Sequence, residues 1–207
     1  MNLLAFRIGR KKNLLAATAL LLIAVVAAAL ISAKNSTGRA ALGHLLYTAK
    51  ILNSSPDYKR FSFQVDGLPG YSEGTGFYRL SAAVTQIIRS ELKILQRQTA
   101  GGRVRFETNA KSIQITGLLT TTDNVGPNTD INTKGIDVYQ NGMLVTSLWA
   151  NAFGVLDATI DLPSGSTGSS SSVSNDTKHI EIWLPSFGTV EALDVRVPTE
   201  CDAWPIQ

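Results

Sequence analysis

Gly135-Ile136-Asp137-Val138-Tyr139-Gln140-Asn141-Gly142-Met143-Leu144-Val145-Thr146-Ser147-Leu148-Trp149 is the stretch that decides the fold. Ile136 and Val138 alternate with Asp137 and Tyr139, a period of two that gives a strand one dry and one wet face. Asn141-Gly142 follows, and both residues accept the positive φ that a two-residue hairpin turn demands. Met143–Trp149 reads as the returning strand. The same period recurs on both sides of this hairpin. Val104 and Phe106 alternate with Arg103, Arg105 and Glu107, and Ile113 and Ile115 with Ser112, Gln114 and Thr116. Upstream, Phe61, Phe63 and Val65 alternate with polar residues. Downstream, Ile180, Ile182 and Leu184 alternate with Glu181 and Trp183, and Leu193, Val195 and Val197 close the series. Half-wet strands separated by Gly, Asn, Pro and Ser turns predict an all-β, mainly antiparallel fold, a β-sandwich or jelly roll. One short helix is expected at Ala82 to Leu92, where Val84, Ile87, Ile88 and Leu92 fall at helical spacing. The low-complexity run from Ser164 to Ser174 reads as a loop. No strand–helix repeat of the kind that builds a parallel α/β sheet is present.

The N-terminus is of different material. Arg7, Arg10, Lys11 and Lys12 precede Asn13–Ala33, which carries no charge. Residues 1–33 read as a signal peptide or an uncleaved signal anchor that forms an N-terminal hydrophobic helix; about 20 apolar residues suffice to span a bilayer. Either way the globular part is expected outside the cytoplasm, secreted or membrane-anchored. Residues 34–60 read as a stalk or amphipathic helix, 61–198 as the sandwich and 199–207 as a tail. The net charge of +3 is misleading, because those four cations precede any acid and the remainder carries −1. Without a basic stripe, nucleic acid is not an expected partner. A single cysteine, Cys201, excludes an intrachain disulfide. Asn35, Asn53 and Asn175 fit the glycosylation pattern, which matters only in a host that glycosylates.

Five segments in order carry a resemblance. They are Phe63-Gln64-Val65-Asp66-Gly67-Leu68-Pro69 with Phe77-Tyr78-Arg79-Leu80, then Ala100 to Asn109, then Gly135-Ile136-Asp137-Val138-Tyr139, then Ile180 to Pro185, and last Val190 to Leu193. Together they resemble the GxDLY domain that precedes the catalytic domain in a group of SGNH (GDSL-like) hydrolases, over about residues 61 to 198. Val138 stands where that motif has leucine, Ser81 where proline is usual, and the loop Asn124 to Asn132 lacks the usual histidine. The resemblance implies a non-catalytic accessory domain of an SGNH-type esterase, packing on a hydrolase domain or presenting carbohydrate to it. The alternative is a free-standing, membrane-anchored glycan-binding or adhesion module. The relatives' Gly-(Asp/Thr)-Ser nucleophile block is not found here, and Gln207 falls about ten residues after Val197. A lone module, a truncated product or one half of a split enzyme is therefore expected.

The candidate ligand-binding residues are Arg79, Asp137, Tyr139 and Trp183. Trp183 alternates against Ile180, Ile182 and Leu184 and is expected on the wet face. Asp137 and Tyr139 share the polar face of their strand, where Asp137 either orders the sheet or lines a sugar-facing surface. Asp176-Thr177-Lys178-His179 spells the Asp-x-x-His of an SGNH triad, but without a nucleophile it reads as a loop-to-strand junction. His44 and His179 are too far apart in sequence to suggest a metal site. No catalytic residue, metal or cofactor is expected.

Overall fold

A computed structural model describes residues 36–73, 76–121, 129–164 and 177–206. The expected N-terminal hydrophobic helix, Asp176 and nearly all of the Ser-rich run lie outside those residues. Residues 1–42 and 43–207 form two compact units. Of the first, only the opening of helix α1 (Ser36–Leu52) is described.

The second unit is a sandwich of two antiparallel sheets. One has four strands in the order β1 (Tyr58–Arg60), β9 (Gly188–Pro198), β4 (Ser112–Thr121), β7 (Val155–Asp161). The other runs β10 (Ala203–Trp204), β3 (Arg103–Thr108), β8 (Lys178–Trp183), β5 (Gly135–Gln140), β6 (Met143–Trp149). The edge of β3 that bears β10 also pairs with β2 (Gln64–Asp66). Between the layers lie the predicted dry faces: Val104 and Phe106, Ile113 and Ile115, Ile136 and Val138, Ile180 and Ile182, Val195 and Val197, all buried. Each such side chain contributes roughly 1.5–3 kcal/mol through its removal from water. The Asn141-Gly142 turn forms as the sequence requires, with φ of 52° and 79°.

Three local details depart from the sequence reading. Phe61 and Phe63 do not belong to one strand with Val65. The chain crosses from the first sheet to the second at 61–63, and both rings pack on the core, Phe61 with its centroid 4.7 Å from that of Phe106. The expected single helix breaks into α2 (Ala82–Ile87) and α3 (Ser90–Leu95), with Ile88 extended at φ −84°, ψ 159°. No residue of α2 is buried, and Ile87 is 85% exposed. Consecutive β-branched residues with no packing to hold them are poor helix formers. A further short helix, α4 (Asp130–Lys134), leads into β5.

From Gly43 onward, α1 lies on the outer face of the four-stranded sheet. Lys50 Nζ is 2.7 Å from Asp157 Oδ2, and His44 Nε2 is 2.8 Å from Glu191 Oε2. No helix among the described residues is long and apolar enough to cross a membrane.

Candidate functional site

The outer face of the six-stranded sheet gathers the polar halves of the alternating strands. On β8 the outward residues are His179, Glu181 and Trp183. Register places Trp183 between Arg103 of β3 and Asp137 of β5, and Glu181 between Arg105 and Tyr139. Three of the four candidate residues, Asp137, Tyr139 and Trp183, thus fall on one surface. Arg79 does not. Its Nη2 donates to Leu95 O at 3.1 Å, so it caps the C-terminal end of α3.

The chain's three tryptophans all emerge on this face. Trp149 pairs with Gly135, Trp183 with Asp137 and Trp204 with Glu107. They are 59%, 37% and 38% exposed, which is high for residues that usually bury most of their area. Trp149 lies two strands across and two residues along from Trp183, about 12 Å between Cα atoms at ordinary strand spacings.

Between the rings runs a charge network. Arg105 Nη1 donates to Asp66 Oδ2 at 2.7 Å, and Gln64 Nε2 to Asp66 Oδ1 at 2.7 Å. Arg103 Nη1 donates to Glu181 Oε1 at 3.3 Å, and its guanidinium lies 5.1 Å from the centre of the Trp183 ring, within cation–π reach. The Trp183 indole N–H donates to Glu181 Oε2 at 3.3 Å. Trp204 donates likewise to Glu107 Oε2 at 2.8 Å. Asp137 accepts a 2.6 Å bond from the Ser147 hydroxyl. The Arg105 hydrogen bond, aided by Gln64 and by the charge of Arg103, holds the Asp66 carboxyl below its usual range despite partial burial. The result is a flat surface with tethered rings.

His179 also lies here, with Nε2 3.5 Å from Glu181 Oε1. That is too long for a hydrogen bond, and Nε2 is buried with no hydrogen-bond partner among the described residues. Among the described residues no serine hydroxyl hydrogen-bonds to either imidazole, and no group of three His, Cys, Asp or Glu side chains is placed to hold a metal.

Sequence reasoning missed Arg103, Arg105, Glu181, Asp66, Trp149 and Trp204 as site residues. Alternation put the β3 and β8 members on wet faces. What it lacked was the cross-strand register that brings them together.

Two antiparallel layers with a polar, tryptophan-bearing outer face define a β-sandwich domain. The particular family follows from comparison. A family model described as "GxDLY: N-terminus of Esterase_SGNH_hydro-type" matches residues 56–202, and the chain belongs to that family. The fold is similar to that of a protein from Bacteroides ovatus described as a GDSL-like lipase (TM-score 0.55, 17% identity), with 72% of this chain and 43% of that one covered. It is also similar to the salicylyl-acyltransferase SsfX3 from a tetracycline biosynthetic pathway (TM-score 0.50, 16% identity), with 75% and 40% covered. The chain thus spans less than half of either protein. A search of the curated proteins found no match.

Proposed function

We propose that the domain is a non-catalytic accessory module of an SGNH-type esterase, and that its tryptophan face holds carbohydrate for a hydrolase domain. The observation that carries this reading is the placing of Trp149, Trp183 and Trp204 on one exposed sheet face around the Arg103–Glu181–Asp66–Arg105 network. Aromatic rings offer flat apolar area to the C–H faces of sugar rings, and fixed charges beside them bond sugar hydroxyls. A flat face suits an extended chain better than a small molecule, which needs a concavity. The family membership supports the link to an esterase. Exposed Val84, Ile87, Leu92 and Leu95 on α2 and α3 support a covering partner domain. Secretion or membrane anchoring belongs to the same reading and rests on the apolar run at residues 14–31.

Affinity electrophoresis of the full chain through gels containing soluble plant and bacterial polysaccharides tests the carbohydrate half. Retardation by at least one polysaccharide, reduced in Trp183→Ala and in Trp149→Ala, is the expected result. Free migration in every gel, or equal retardation of both variants, refutes it. Retardation together with no SGNH hydrolase gene beside this one favours the free-standing module instead.

A further inference from the structure

The opposite side of the sandwich carries a different kind of surface. Where α1 crosses the outer face of the four-stranded sheet, a cavity of about 320 Å³ opens between the helix, β9 and the segment around Phe77. It shares the wall residues Tyr47, Phe77 and Glu191 with an adjoining, wider lobe of about 600 Å³. Nothing in the tryptophan face or the proposed function uses it.

Four features of its wall point to one ligand chemistry. Phe77 and Tyr78 supply an apolar aromatic side. Glu191 supplies acceptors: Thr120 Oγ1 donates to Oε1 at 2.8 Å and His44 bonds Oε2, yet a carboxylate has about four lone-pair sites, so capacity remains. Arg97 supplies donors and has no ion-pair partner among the described residues. Thr189 is 5% exposed, lines the cavity, and its Oγ1 has no hydrogen-bond partner among the described residues. A buried hydroxyl without a partner is costly and rare, and one on a residue that lines a cavity marks a place where a ligand atom can complete the bonding.

An anion would want donors alone, and Glu191 would repel it. A purely apolar ligand would strand Arg97, Glu191 and Thr189. A ring whose hydroxyls both donate and accept, with one C–H face, satisfies every group. The volume is at the lower end of the range for small-molecule sites.

We propose that this groove is a second carbohydrate site, which takes one neutral pyranose ring against Phe77 and Tyr78 and hydrogen-bonds it to Thr189, Arg97 and Glu191. The wider lobe lets that ring be one unit of a longer glycan. The site is independent of the tryptophan face, which lies on the other sheet.

Saturation-transfer NMR on the full chain tests it, with glucose, galactose, mannose, xylose and N-acetylglucosamine as probes and acetate and inorganic phosphate as anion controls. At least one sugar is expected to bind saturably, with shifts at Tyr47 and Tyr78. Thr189→Val keeps the side-chain shape, and it is expected to weaken that binding about tenfold, as loss of one good hydrogen bond does. Arg97→Ala is expected to weaken it as well, while Trp183→Ala leaves it unchanged. Absence of saturable binding by every sugar overturns the proposal. So does binding that neither Thr189→Val nor Arg97→Ala alters, binding lost in Trp183→Ala, or preference for acetate or phosphate. Failure of polysaccharide retardation on the tryptophan face leaves this result standing, so the two readings fail separately.

Discussion

Glu181→Gln is the sharpest test of how the outer sheet face is held together. The change keeps size and shape and removes one charge. Glu181 stands at the centre of the network, 3.3 Å from Arg103 Nη1, 3.7 Å from Arg105 Nε and 3.5 Å from His179 Nε2, with the Trp183 indole N–H at 3.3 Å from its other oxygen. After substitution, two guanidiniums share only Asp66. Two unit charges 4 Å apart interact by about 1 kcal/mol in water and about 4 kcal/mol in a surface environment of lower polarity. Measured exposed pairs recover only about 0.2–1 kcal/mol each after desolvation and side-chain ordering. The Glu181 side chain is 19% exposed and those of Arg103 and Arg105 are 30% and 21%, so the upper half of that range applies. Two pairs then predict a loss of about 1.2–2 kcal/mol, or a fall in Tm of roughly 2–8 °C for a folded unit of this size. Urea unfolding followed by tryptophan fluorescence reads the loss as a lower midpoint at unchanged slope. A double-mutant cycle with Arg103→Gln should return a coupling of about 0.5 kcal/mol or more. A midpoint that does not move, or a coupling of zero, refutes the claim that the network orders this face. On the proposed reading polysaccharide affinity should fall with stability, because the glutamine amide offers one acceptor oxygen where Glu181 offers one to Arg103 and another to the Trp183 indole N–H.

Three further outcomes follow from the same coordinates. Asp66 has a folded pKa below its unfolded value. Its contribution is therefore full above the ordinary carboxylate range and is lost as pH falls through that range, so the stability gap between the wild type and Asp66→Asn should close between about pH 5 and pH 2 in urea titrations. Phe106→Ala empties the centre of the core at a fully buried site packed against the tilted ring of Phe61, and chemical denaturation should record a loss of about 3–5 kcal/mol. Gly67 has φ of 75°, and a Cβ there would sit 2.1 Å from Gly101 O, so Gly67→Ala should cost roughly 2 kcal/mol or more in the same assay, or prevent soluble expression.

The period-two residues made the layers readable. Val104, Phe106, Ile136, Val138, Ile180 and Ile182 are buried because an alternating strand has only one face to offer a core. The hairpin at Asn141-Gly142 was readable because the turn itself demands those residues. Strand order was not readable. β3 lies beside β8, although almost 70 residues separate them, and alternation says nothing about which dry strand neighbours which. For that reason Trp183 could be assigned to a wet face while its partner Arg103 stayed invisible. Trp204 was hidden for another reason, since a two-residue strand carries no period. Arg79 misled because its motif membership said nothing about geometry, and its guanidinium serves the carbonyl end of α3.

The chemistry sits outside the sandwich because the inside leaves it no room. The layer between the sheets is filled mainly by aliphatic side chains and the rings of Phe61, Phe63, Phe77 and Phe106, and the strands also bury Thr108, Gln140 and Lys178. Functional groups must therefore stand on the outer faces, and the two outer faces differ in what covers them. On the six-stranded sheet Trp149, Trp183 and Trp204 remain exposed, so the reach of this face is lateral, from ring to ring. On the four-stranded sheet α1 lies above the strands, and a helix laid on a twisted sheet leaves a wedge of space along its flank. In that wedge Thr189 is buried yet unpaired. The two proposals therefore ask different things of one sandwich, a polymer held across the open sheet face and a single sugar unit held in the wedge under α1, and neither requires a change to the core.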